Sequence, residues 1–234
     1  MTEVDTSHGG VWTQSAWQQL RWLAAGLVIA FAIPFVFADV LDLPRDLYYG
    51  IYAASVVMFF LFWARFTGQP ITAMIRRRWP LATVLGMVCA IVVAVIMIRT
   101  EPATAKPGGL PLVGAVLWRG VVYGGVDGLL LSAFPILAVF AATAGSRLRR
   151  HLPGTAGIGA LALLASLVMT AAYHFGYSDF RSGKLVKPVV GDLIWSLPTL
   201  ATLNPVGAPI AHAGMHVTAV MHSYESDTFL PPHQ

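Results

Sequence analysis

Long apolar runs dominate this chain, at residues 22–40, 49–66, 81–98, 112–144, 155–177 and 193–221. A helix crossing the ~30 Å hydrocarbon core of a bilayer needs about 20 mostly apolar residues, and runs of this length recur from near one end of the chain to the other. Asp, Glu, Lys and Arg make up only 11% of the residues, against 56% for AVILMFWYC, whereas soluble domains carry roughly 25% charged residues. A soluble fold of this size could not coat its surface with so few charges. In lipid that requirement disappears, but every backbone N–H and C=O must then be satisfied within its own segment, which selects helices. The expectation is an all-α polytopic transmembrane bundle of about six to eight helices, one or two of them broken or re-entrant. Residues 22–222 form the membrane domain, residues 1–21 a polar N-terminal segment and residues 223–234 a polar tail.

The distribution of charge gives the threading. Arg76, Arg77 and Arg78 form one cluster, and Arg147, Arg149 and Arg150 another, each beside an apolar run. Such clusters mark cytoplasmic loops. The threading that fits has a cytoplasmic N-terminus, with the acidic loop at Asp39, Asp42 and Asp46 on the far side, in a plasma (inner) membrane. The formal net charge of +4 is thus a matter of topology. No basic and aromatic stripe suits nucleic acid, so the expected partners are the bilayer and other membrane proteins. The first apolar run lacks a basic n-region and an A-x-A site, which reads as a retained helix rather than a cleaved signal. Cys89, the only cysteine, has no partner for a disulfide within the chain.

Pro34 predicts a kink in the first run, and Pro198, Pro205 and Pro209 split the last into two short helices around Asn204-Pro205. Residues 112–144 are too long for one upright helix. Five glycines and Pro135 there predict a break between a shorter helix bearing Arg119 and a spanning one ending at Ala144.

Ionisable groups inside apolar runs cost roughly 2.5–3.5 kcal/mol each on insertion scales, and they turn toward the bundle interior. Arg119 and Asp127 lie about 12 Å apart along a continuous helix, so each needs a partner elsewhere. His174 sits in an aromatic cluster with Tyr173, Phe175 and Tyr177. His212 and His216, at i and i+4, share one helix face about 6 Å apart at Cβ, a spacing that can chelate a transition metal. His222 follows on the same segment. Asn204 precedes Pro205, where an amide caps a half-helix or contacts a substrate or partner. Asp127 is the only nearby carboxylate.

These residues resemble, in order and context, the motifs of the CPBP family, the intramembrane proteases that include the CAAX prenyl-protein endopeptidases. That family carries Glu-Glu-x-x-x-Arg, Phe-x-x-x-His and His-x-x-x-Asn/Asp on successive core helices. Arg119-Gly120-Val121-Val122-Tyr123-Gly124 is similar to the run closing the first motif, Tyr173-His174-Phe175-Gly176 to the second, and His212-Ala213-Gly214-Met215-His216 to the third. The resemblance spans about half the chain, residues 110–222. It implies binding roles for Arg119, Tyr123 and Tyr173 and catalytic roles for His174 and His212. The paired glutamates, one of which activates water in the family, would fall at Gly114 and Ala115, and Thr170 stands where Phe is expected.

The leading functional expectation is therefore a catalytically degenerate membrane protein on a CPBP-like scaffold, binding a membrane partner or lipid. One alternative is a metal or haem centre, holding zinc, iron or haem on His174, His212, His216 and His222. Another is an intramembrane hydrolase using Asp127 with His174 and His212.

Overall fold

A computed structural model describes residues 9–181, 183–225 and 229–231 of the chain. Residues 1–8, the first part of the polar N-terminal segment, lie outside them. Among the described residues there are eight helices and no strands. Helix α1 (Gly9–Ile33) continues as a π-helical turn, Pro34–Val40. It is followed by α2 (Arg45–Thr67), the short α3 (Ile71–Arg76) and α4 (Trp79–Thr100). Helix α5 covers Gly109–Ala142. Last come α6 (Leu152–Phe175), α7 (Val186–Thr202) and α8 (Gly207–His222). Five of the helices, α1, α2, α4, α5 and α6, are long and apolar enough to cross a membrane.

The outside of the bundle fits hydrocarbon. On α4, Val84, Val88, Ile91 and Val95 are all exposed, a face that water would not tolerate and acyl chains would. At one end of the bundle, residues 65–79, 143–152 and 203–206 carry Arg65, Arg76, Arg77, Arg78, Arg147, Arg149 and Arg150 and no Asp or Glu. The opposite end carries the acidic groups and their ion pairs: Arg119–Asp46 at 2.7 Å, Arg181–Asp39 at 3.0 Å and Lys187–Glu101 at 3.0 Å.

Helix α5 is the axis. It is 67% buried over its most apolar window, against 22–44% for the other four long helices. The predicted break within it is absent: residues 109–142 run as one helix of 34 residues, with π-helical turns at Val116–Tyr123 and Leu129–Ala133. Two physical reasons account for the continuity. Three of the glycines are spacers rather than breakers. A Cβ on Gly120, Gly124 or Gly128 would come within 2.7 Å of Val217, 2.8 Å of His216 or 2.8 Å of the Ala208 carbonyl, so these positions let α8 pack directly against α5, as small-xxx-small patterns do in membranes. The second reason concerns Pro135, which has no N–H to offer the carbonyl of Leu131. The preceding π turn absorbs the mismatch, and the hydroxyl of Ser166 on α6 lies 2.8 Å from that carbonyl. The bilayer depth limits an upright helix, but α5 spans about 50 Å at 1.5 Å per residue, so it is tilted or extends past the apolar layer.

Helices α7 and α8 are the two short helices predicted around Asn204-Pro205. Asn204 caps by an unexpected route. Its side-chain N–H groups reach the carbonyls of Met74, Ile75 and Arg77 at 3.0, 2.9 and 2.7 Å, closing the end of α3, and its Oδ1 accepts from Val206 N–H.

Candidate metal centre

Asp127 lies near the middle of α5, between Gly124 and Gly128, two of the glycines against which α8 packs. The i, i+4 spacing on α8 turns both imidazoles toward it. Asp127 Oδ2 is 3.6 Å from His212 Nδ1 and 3.4 Å from His216 Nε2, and one ligand atom from each residue lies within 4.8 Å of the others. All three side chains are buried. The other carboxylate oxygen, Oδ1, accepts a 2.9 Å hydrogen bond from Tyr52 of α2.

A second buried carboxylate stands behind His212. Asp192 on α7 is met by three hydroxyls: Ser132 at 2.6 Å, Ser166 at 2.7 Å and Ser196 at 3.0 Å. The proton directions can be worked out. A carboxylate only accepts, so the single proton of Ser132 goes to Asp192. Ser132 Oγ, 3.1 Å from His212 Nε2, must then accept from an Nε2–H. The proton of the neutral imidazole is thereby placed on Nε2, leaving a lone pair on Nδ1. That nitrogen has no hydrogen-bond partner and faces Asp127. With a neutral ring, two acceptors thus confront each other in the interior of a membrane bundle.

Beside Asp127 and His216 is a cavity of about 20 Å³, lined also by His174, Tyr123 and Trp195, enough for one water, which needs ~10–15 Å³. Phe229 and Pro231 of the C-terminal segment also line it, so part of the polar tail folds back onto the bundle. His174 Nδ1 donates to the Thr170 carbonyl at 2.8 Å, which leaves its Nε2 without a proton when the ring is neutral. Around this side of the site the tyrosine hydroxyls of Tyr123, Tyr173, Tyr177 and Tyr48 form a hydrogen-bonded cluster. Tyr49 is stacked on Tyr123 at 3.7 Å.

Of the residues singled out in the sequence, Asp127, His212 and His216 come together, and His174, Tyr123 and Tyr173 adjoin them. Arg119 stands apart at the acidic end of the bundle, bidentate to Asp46 and bonded to Tyr224 at 2.8 Å. Asn204 is at the basic end. His222 Nε2 bonds the Glu101 carbonyl at 3.0 Å, away from the other histidines. Sequence reasoning missed Asp192, its three serines and Tyr52. A signal for Asp192 existed: it lies one residue before the start assigned to the last apolar run, and Ser196 follows it at i+4 on the same helix face.

Comparison with protein-family models, curated proteins and solved structures finds no match to this chain.

Proposed function

We propose that this protein is a membrane-embedded metalloprotein that holds one zinc ion on Asp127 Oδ2, His212 Nδ1 and His216 Nε2. The reading rests on one observation above all: His212 Nδ1, without a hydrogen-bond partner, and the Asp127 carboxylate face each other at 3.6 Å, and with a neutral ring no donor lies between them. Something cationic belongs there. Among the described residues, the ion-pair partners within 4.0 Å of Asp127 and Asp192 are these histidines alone. With neutral imidazoles the pair of carboxylates leaves two negative charges in the bundle interior, where an uncompensated ion costs several kcal/mol. A divalent cation cancels both.

Distances favour zinc among the metals. Bonds of about 2.1 Å give ligand–ligand edges of roughly 3.4 Å in a tetrahedron and about 3.0 Å in an octahedron; those from Asp127 Oδ2 are 3.4 and 3.6 Å. Haem does not suit the site, because a cavity of about 20 Å³ beside the histidines has no room for a porphyrin. Three protein ligands and a water-sized void match the pattern of a catalytic rather than a structural zinc site. Bound there, zinc would supply Lewis acidity toward a water in the cavity. The residues of the chain would do the rest. Asp192, through Ser132, holds the His212 ring in its ligating tautomer. Tyr52 fixes the Asp127 carboxylate. His174 presents an unprotonated nitrogen at the cavity wall, able to take a proton from water. The centre is then of hydrolytic type. The same reading accommodates the CPBP resemblance, with Asp127 as the carboxylate that positions 114 and 115 lack. By the positive-inside rule the basic end of the bundle, and with it the N-terminus, is cytoplasmic, in a plasma membrane.

The test uses protein purified in detergent without a polyhistidine tag. The expected result is about one zinc per chain and a melting temperature that falls on chelation and recovers with zinc, as a ligand selective for the folded state requires. Protein that stays metal-free after zinc reconstitution, with a melting temperature indifferent to chelator, would contradict the proposal.

A further inference from the structure

Gly124, Gly128 and Gly120 are explained by close packing against α8, but Gly125 is not. A Cβ built on it meets nothing within 4 Å. Glycine in a helix interior is unfavourable relative to alanine, and here it leaves the surface of α5 open. The space in front of it is an open groove of about 460 Å³, inside the ~300–1,000 Å³ range of small-molecule sites. Val122, Val126 and Leu129 of α5 form its floor with Gly125, Phe60 of α2 and Ile71 and Ile75 of α3 one wall, and the start of the α8 region, at Pro205 and Pro209, the other. The lining is almost wholly apolar. Asp127 is absent from it, so the groove is separate from the metal centre and does not rest on the function proposed above.

The chemistry at the groove's end identifies an occupant. Ile75 is followed directly by Arg76, Arg77 and Arg78, all exposed. The Asn204 amide ties the carbonyls of Ile75 and Arg77 to the turn that carries Pro205. The backbone of the basic triplet is therefore held next to Ile75 at the end of the groove, at the end of the bundle that carries no acidic residue in its described loops. From there the apolar floor runs two helical turns toward the middle of α5. An amphiphile with a negative head and a hydrocarbon tail matches both parts, and basic clusters at a membrane surface attract anionic headgroups.

We propose that this groove is a binding site for an anionic phospholipid, its headgroup phosphate against Arg76–Arg78 and one acyl chain lying over Gly125. The free surface at Gly125 supplies a clean test, because a Cβ there meets nothing within 4 Å and Gly125→Leu projects its side chain into the groove. The full chain is reconstituted in vesicles of phosphatidylcholine doped with either a diazirine-acyl phosphatidylglycerol or the matching diazirine-acyl phosphatidylcholine, irradiated, and mapped by peptide mass spectrometry. The phosphatidylglycerol probe is expected to label the peptides containing Ile71–Ile75 and Val122–Leu129 at least fivefold more than the phosphatidylcholine probe. Gly125→Leu should abolish that excess at an unchanged melting temperature. In a second, surface variant, Arg76→Gln/Arg77→Gln/Arg78→Gln, labelling by the two probes should become equal. Equal labelling by both probes in the unmodified protein, or labelling that survives Gly125→Leu, overturns the proposal. So does crosslinking of two chains through the groove, which would make it an interface between copies.

Discussion

Two carboxylates are buried on either side of the His212 ring in this bundle, and their surroundings differ in kind. Asp192 is met by three serine hydroxyls from α5, α6 and its own helix. Asp127 accepts one hydroxyl, from Tyr52, and otherwise faces imidazole nitrogens at 3.4 and 3.6 Å. Hydroxyls of the protein surround the first site, the single Ser166 proton being shared among Asp192, the Leu131 carbonyl and Ser196. The second has one hydroxyl donor and two imidazole neighbours whose protonation decides its charge balance, and burial makes any shortfall costly. The difference teaches that a buried acid in a membrane bundle is not by itself a functional signal. What marks function is a buried acid whose unsatisfied side is turned toward other unsatisfied groups.

Asp127→Ala removes a direct ligand and has the greatest consequence. It should lower zinc affinity by more than about 100-fold, since a direct ligand is lost and removing even an outer-shell partner costs 10–100-fold. Competition with a fluorescent zinc chelator measures this. Without metal the variant should be at least as stable as the unmodified apoprotein, because an unpaired buried charge has gone. Asp192→Asn, which keeps shape and loses charge, should weaken zinc binding by about 10–100-fold in the same titration. An affinity unchanged by Asp192→Asn would mean that the Ser132 link does not orient His212.

Ser132→Ala sharpens the point. It leaves both Asp192 and His212 Nε2 short of a partner, and should cost about 1–3 kcal/mol of stability in thermal or denaturant unfolding, with weaker zinc binding alongside. The smallest effect belongs to Tyr52→Phe. One hydroxyl is lost from Asp127, about 0.5–1.5 kcal/mol, and zinc stoichiometry should stay at one per chain by elemental analysis.

Much of the architecture was legible because hydrocarbon imposes simple rules. Runs of about 20 apolar residues read as spans, and the prolines around Asn204 marked the junction of α7 and α8. The glycines of α5 misled. From sequence a glycine reads as a helix breaker or a spacer with equal ease, and only the approach of α8 to Gly120, Gly124 and Gly128 decides for the spacer. Of the centre, the i, i+4 pair on α8 was visible because its geometry is local. The convergence of Asp127 with it is a tertiary fact across 89 residues. The serine cage around Asp192 draws on three helices whose individual serines look unremarkable in an apolar run. The tyrosine cluster was partly visible at Tyr173 and Tyr177, yet its other members, Tyr48 and Tyr123, come from distant helices.

The central claim, a zinc ion on one carboxylate and two imidazoles, is tested most directly by X-ray absorption at the zinc edge on the tag-free protein in detergent. The account predicts a first shell of about four nitrogen and oxygen scatterers at roughly 2.0–2.1 Å, with the outer-shell pattern of two imidazoles, reduced to one in His216→Ala. A shell without imidazole scattering, or a spectrum unchanged in His216→Ala, would contradict it.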